Sequence, residues 1–226
     1  MFDFSNTRIN LRRSIFSYAK VESVIGSITR NRKLFLSRQQ IGKYLNIGCG
    51  KNIAADFINL DYCWHVGIDV CWDVKYGLPL PDRYVGGIFS EHMLEHIDFD
   101  SALELLLECR RVMCPGGTIR IIVPDGELYL TEYARHLAGN APRIPYIEDD
   151  ASKYPFVTPI ICVNRIFRSH GHQFIWDFET LRLSLLHAGF ENVKRRTFNN
   201  GSDPILIRDT PTRQLESLYV EAERMT

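Results

Sequence analysis

The chain carries no net charge: 27 Lys/Arg stand against 27 Asp/Glu over 226 residues. That balance argues against a globally basic nucleic-acid binder, and no nucleic-acid partner is expected. No apolar run reaches the length needed to cross a bilayer. No apolar stretch follows the basic start in the manner of a secretory signal, so a soluble, cytoplasmic protein is expected. The six cysteines are Cys49, Cys63, Cys71, Cys109, Cys114 and Cys162, and no two are spaced C-x-x-C. Neither a zinc knuckle nor a redox dithiol is expected, and the thiols read as reduced. Several lie in apolar runs, where Cys behaves as a small hydrophobe. There is no internal repeat and no low-complexity segment. What is present is an ordinary globular composition, 45% apolar and 24% charged, which excludes disorder and fibrous architectures. The length suits one domain with a full core.

The even charge conceals a local asymmetry. Residues 1–43 hold nine Lys/Arg against only Asp3 and Glu22, leaving 18 basic and 25 acidic residues beyond them. Within residues 1–40, Leu11, Ile15, Tyr18, Val21, Ile25 and Ile28 recur at helical steps, with Arg12, Arg13, Lys20 and Arg30 between them. This predicts a basic amphipathic extension. Two roles fit it: a helix that caps the domain or makes a homodimer contact, and a peripheral membrane helix facing anionic lipid. The domain proper is expected over 41–226.

From there, short apolar runs alternate with helical patterns, which argues an α/β domain. Strands are expected at Lys43–Ile47, Phe57–Leu60, Val66–Trp72, Gly86–Ser90 and Thr118–Val123. A helix is expected over Asp100–Met113, opened by a Ser101/Glu104 capping box and ended by Pro115-Gly116-Gly117. Residues 125–175 break this rhythm, with four prolines, seven aromatics and no long periodic pattern. So long a stretch reads as a lid or substrate-binding insertion. Regularity returns with a helix over Asp177–Ala188, capped by Asp177 and stopped by Gly189. Phe190–Phe198 and Glu216–Glu223 complete the pattern as strands.

Three successive strand ends carry the residues needed to hold a nucleoside. Leu45-Asn46-Ile47-Gly48-Cys49-Gly50 gives a strand followed by a glycine turn, where a ligand can approach the backbone closely. Asp61 ends the second strand, where a carboxylate can accept two ribose hydroxyls, and Asp73, followed by Val74, ends the third. The same acids would also serve as plain turn residues.

Ordered segments extend this pattern: YLNIGCGK, then GLPLPDRYVGGIFSEHMLEHI, ECRRVMCPGGTIRIIVPD, FETLRLSLLHAGFENV and SLYVEAER. Together they resemble the class I S-adenosylmethionine-dependent methyltransferases, of the small glycan and small-molecule type. The resemblance implies a Rossmann-like, doubly wound α/β fold. Its seven-stranded sheet would be mostly parallel with an antiparallel last strand and helices on both faces. It implies S-adenosylmethionine as cofactor, held by Asn46, Gly48, Cys49, Gly50, Asp61, Asp73, Val74 and Ser90. It also implies transfer of a methyl group, by in-line displacement, to a hydroxyl of a sugar, glycan or nucleotide sugar. Methylation of a lipid, quinone or other small metabolite is the alternative acceptor chemistry, and a catalytically inactive partner subunit the alternative role. There are two departures from the family pattern. Asn46 stands where an acid usually does, and the gap from Gly50 to Asp61 leaves no room for a full crossover helix. Asp69 competes with Asp61 as the ribose acid.

If the acceptor is an alcohol, a base must take its proton, and the candidates are His92, His170 and His172. Arg135, Arg143, Arg165 and Arg168, in or near the insertion, are available to an anionic acceptor. His92-Met93-Leu94-Glu95-His96 also fits the H-x-x-E-H pattern of inverted zinc peptidases. Its place after a strand and a glycine pair fits the methyltransferase pattern better, and no metal is expected.

Overall fold

The computed structural model describes residues 18–31, 42–148, 152 and 154–225. Most of the basic extension therefore lies outside the described residues. Seven strands form one sheet: β1 Tyr44–Ile47, β2 Phe57–Asp61, β3 Val70–Cys71, β4 Val85–Glu91, β5 Met113–Pro124, β6 Glu191–Arg196 and β7 Ser217–Glu223. Their order is β3-β2-β1-β4-β5-β7-β6. β7 runs antiparallel to both neighbours, while β1 to β5 pair in parallel. The expected α/β sheet is present, antiparallel last strand included.

The order reverses between β1 and β4, and in open α/β sheets a ligand crevice forms at such a point, outside the carboxyl ends of the strands. The central strands are buried on both faces and carry apolar residues on each, with Asn46, Asn59, Ser90 and Arg120 as buried polar exceptions. Leu45, Ile47, Ile88, Ile119 and Ile121 are all within 2% of complete burial.

The helices are α1 Tyr18–Thr29, α2 Phe99–Val112, α3 Gly126–Leu137, α4 Pro159–Arg168 and α5 Phe178–His187. Asp177 caps α5 through the Thr180 amide, as expected. The start of α2 differs from expectation: Asp98, not Ser101, is the cap, and its carboxylate accepts both the amide and the hydroxyl of Ser101. An aspartate displaces the serine because its two oxygens satisfy two donors at once. The expected third strand shrinks to two residues, since residues 62–69 turn before they can pair. Loop replaces a helix between β1 and β2, as the short spacing required.

The largest correction concerns residues 125–175. They hold two helices, α3 and α4, which pack on each other through Tyr129, Cys162, Val163 and Ile166. Asp125 caps α3 through the Leu128 amide. A small satellite core thus replaces the irregular chain path expected there.

α1 closes the edge of the sheet. The Asn31 amide donates to the Cys71 carbonyl, the Asp73 amide donates to the Asn31 side chain, and Arg30 Nε donates to the Tyr62 carbonyl. The Arg30 guanidinium also lies 3.7 Å from the centre of the Tyr62 ring.

Candidate functional site

The glycine turn after β1 is held by the strand beside it. The amides of Gly48 and Cys49 both donate to the Leu60 carbonyl. Gly48 has φ +68°, and a Cβ there would collide with the Met93 side chain, so only glycine fits. Gly50, with φ +49°, donates its amide to Asp61 Oδ2 at 2.8 Å. The other carboxylate oxygen of Asp61 accepts the Cys63 amide at 2.7 Å. Asp61 is thereby fixed at the end of β2, with lone pairs left for a ligand.

A cleft of about 670 Å³ opens at these strand ends, lined by Gly48, Gly50, Asp61, Asp73 and Val74 together with Tyr62, Trp72, His92, Met93 and His96. Its volume is that of a small-molecule site. Among the expected cofactor residues, Gly48, Gly50, Asp61, Asp73 and Val74 line it. Asn46, Cys49 and Ser90 do not: all three are buried. Asn46 donates to Asn59 Oδ1 and to the Asn52 carbonyl, turned into the seam between β1 and β2. Ser90 Oγ is buried without a partner among the described residues. Asp69 is likewise spent on structure, because its Oδ2 accepts the Asn59 backbone and side-chain amides. The geometry therefore puts Asp61, not Asp69, against the cleft.

A second cavity of about 310 Å³ shares His92 and His96 with the first, and it is completed by Pro124, Arg165, Ile166, His170, His172, Arg213 and Glu216. All three expected catalytic histidines meet here. Of the four arginines offered for an anionic acceptor, Arg165 is the one lining this cavity. It also holds the satellite core, donating to the carbonyls of Pro145 and Tyr146.

Arg213 and Glu216 were not anticipated. They are brought in by the loop between β6 and β7, whose position depends on two anchors. Glu91 accepts the Thr210 amide and hydroxyl, and Arg120 holds Asp209. No periodicity marks this loop in the sequence, so only the tertiary anchors reveal it.

The histidines differ in what remains available. His92 follows β4 with φ +49°. Its Nδ1 accepts from Arg213 at 3.0 Å, and its Nε2 meets Ser217 Oγ at 2.8 Å. Arginine has only donors, so His92 must carry its proton on Nε2. Burial, reinforced by the Arg213 charge, pushes the His92 pKa down to about 4. His96 is lowered too, chiefly by burial, and burial raises Glu95. His172 Nδ1 lies 2.6 Å from the Ile166 carbonyl, which leaves Nε2 as the lone-pair nitrogen. His170 is exposed, with φ +59° in the turn Ser169–Gly171.

The H-x-x-E-H pattern does not form the two-histidine helix face of a zinc peptidase. Leu94–His96 is a single 3-10 turn, and His92 lies outside it.

The family model of the methyltransferase domain matches residues 70–121. That span runs from β3 through α2 into β5. No curated protein matches the chain. Among solved structures, it is similar to a SAM-dependent methyltransferase from Archaeoglobus fulgidus, at 21% identity and TM-score 0.48, over 81% of this chain and 86% of that one. It is also similar to a SAM-dependent methyltransferase from Thermotoga maritima described as a possible histamine N-methyltransferase, at 15% identity and TM-score 0.49, over 92% and 90%. A third is the S-adenosylmethionine-dependent methyltransferase of Mesorhizobium loti, at 18% identity and TM-score 0.46, over 82% and 93%.

Proposed function

We propose that this S-adenosylmethionine-dependent methyltransferase methylates a hydroxyl of a sugar, glycan or nucleotide sugar by in-line transfer. The methyltransferase-domain match over residues 70–121 supports the enzyme class and its cofactor. The observation that carries the acceptor reading is the shared wall: the cleft at the strand ends and the His/Arg-lined cavity have His92 and His96 in common. A cofactor in one and an acceptor in the other would then meet at that wall.

The cleft fits the cofactor by its donor set. Asp61 suits ribose hydroxyls, Asp73 and Val74 line the cleft beyond it, and the open glycine turn admits close backbone contact. When bound, the cofactor supplies an electrophilic methyl group on its sulfonium. The chain's task is then to orient the nucleophile and keep water out. The second cavity is lined mainly by imidazoles, guanidiniums and Glu216, with Pro124 and Ile166 as its apolar members. Such a lining favours a polar, hydroxyl-bearing, anionic acceptor over a quinone or lipid tail. Arg213 and Arg165 suit the anionic part. His92 is spent on both ring nitrogens, so it positions Arg213, and the acceptor proton passes to the Ser169–Gly171 turn region, where His170 is open to solvent.

The test is transfer of an isotopically labelled methyl group to a panel of nucleotide sugars, neutral sugars, quinones, amines and phospholipids, with mass analysis of the product. A methyl ether on a sugar hydroxyl is expected. Transfer only to nitrogen or to a lipid would overturn the acceptor reading. Tight S-adenosylhomocysteine binding without turnover on any acceptor would instead favour the partner-subunit role.

A further inference from the structure

Glu95 is completely buried, yet among the described residues neither of its carboxylate oxygens has a hydrogen-bond partner. An unsatisfied buried carboxylate costs several kcal/mol unless something compensates it. The groups around it are nitrogen bases. His96 Nε2 lies 4.0 Å from Glu95 Oε1. One ligand atom each from Glu95, His96 and His172 lies within 4.8 Å of the others. His172 is oriented in the manner of a metal ligand, since its Nδ1 is engaged by the Ile166 carbonyl and its Nε2 lone pair is left over.

The backbone holds this cluster together. The amides of Gln173 and Phe174 both donate to the Glu95 carbonyl, and the Gln173 side chain donates to the His96 carbonyl at 2.6 Å. Two segments far apart in sequence, 95–96 and 172–174, are stapled so that their donor atoms converge. His92 Nδ1, 3.4 Å from Glu95 Oε1, is already taken by Arg213 and is not counted as a ligand.

A second convergent set, Cys49, Asp61 and His65, lacks these properties. Both Asp61 oxygens accept backbone amides, and His65 Nε2 sits 2.5 Å from the Gly50 carbonyl.

We propose that Glu95, His96 and His172 bind one divalent transition metal ion of the Zn²⁺ type, with an open coordination position facing the cavity that His96 and His172 line. Two imidazoles and a carboxylate with a vacant position form a donor set that Zn²⁺ takes in catalytic sites. The vacant position would take the acceptor hydroxyl and lower its pKa, and the released proton would leave through His170 or solvent. This last role rests on the O-methylation reading, whereas the metal site itself does not.

The experiment uses the full, tag-free chain, stripped with a chelator and titrated with ZnCl₂ alone by calorimetry. Co²⁺ absorption and thermal melts follow the same samples. One equivalent should bind at micromolar affinity or tighter, raise the melting temperature and give the visible bands of low-coordinate Co²⁺. His172→Ala and Glu95→Gln should abolish all three effects, while His65→Ala keeps them. S-adenosylhomocysteine binding and circular dichroism verify that each variant is folded.

No stoichiometric binding by the folded wild-type chain would overturn the proposal. So would binding that survives His172→Ala and is lost in His65→Ala. Methyl transfer to a hydroxyl that continues at full rate in the stripped protein would remove the catalytic role while leaving O-methylation standing. Metal binding without any hydroxyl acceptor would do the reverse.

Discussion

Arg213 Nη1 donates to His92 Nδ1 at 3.0 Å, joining a loop near the end of the chain to the residue that follows β4. This bond fixes the imidazole as a neutral acceptor on one side and a donor on the other. Its consequence is directional. Arg213 lowers the His92 pKa, after burial, to about 4. In protein stripped of divalent metal, the His92 ring should stay neutral down to that range. Arg213→Ala should move its midpoint upward, toward the ordinary value of 6.5. Ring-proton or ¹⁵N chemical shifts against pH measure this, and an unmoved midpoint would show that burial alone sets the value.

Asp61 and Asp69 make opposite contributions. Asp61→Ala should weaken S-adenosylhomocysteine binding by about 1–3 kcal/mol, through lost hydrogen bonds to the ligand and loss of the Gly50 and Cys63 anchors. Asp69→Ala should leave that affinity nearly unchanged and lower the melting temperature, because its carboxylate serves Asn59. Calorimetry and melts on the same two variants separate the roles. An affinity loss confined to Asp69→Ala would exchange them.

The thiols should report the cleft without mutation. Cys63 is exposed and lines the cleft, so disulfide-exchange labelling should reach it and S-adenosylhomocysteine should slow that labelling. Cys49 should stay silent at pH 8 with or without ligand. Its thiol is buried and pushed up to about 12, by burial first and then by the Asp61 charge. Mass mapping of the labelled peptides gives the result, and rapid labelling of Cys49 would mean that the glycine turn opens in solution.

Arg120 is the bulkiest fully buried charged side chain among the described residues. It is fully buried and paired with Asp209 at 2.5 Å and Glu221 at 2.9 Å. It also donates to the Asn200 and Thr197 carbonyls. Arg120→Ala would leave Asp209 buried without its ion pair, while Glu221 keeps Arg196, and should cost about 3–5 kcal/mol. Because Asp209 neighbours Thr210 on the loop that presents Arg213, the same change should also slow methyl transfer. Urea unfolding and steady-state rates test both parts, and a stable variant with an unchanged rate would show that the loop holds its place by other contacts.

Much of the sheet was legible because buried parallel strands leave short apolar runs at regular intervals. TIRIIV and FINLD declare themselves in this way. The strand-end cleft was legible for a related reason: glycines and acids at strand ends are local signals, and Gly48, Gly50, Asp61 and Asp73 line one cleft. What stayed hidden depends on contacts distant in sequence. α3 and α4 bury Tyr129 and Cys162 against each other, so neither helix advertises a stripe facing the main core. Asn46 looks like a cofactor ligand from its motif, yet Asn59, thirteen residues away, turns it into the sheet. Arg213 had no local signal at all. Its place is set by Glu91 and Arg120 on β4 and β5.

The turn after α1 grips the rim of the cleft through Asn31 and Arg30, whose partners include the backbones of Tyr62 and Asp73. Both of those residues also line the cleft. The turn that ends α1 is therefore mechanically part of the cleft's mouth. Displacing that turn should loosen the cleft's hold on a small molecule before it changes any chemical step.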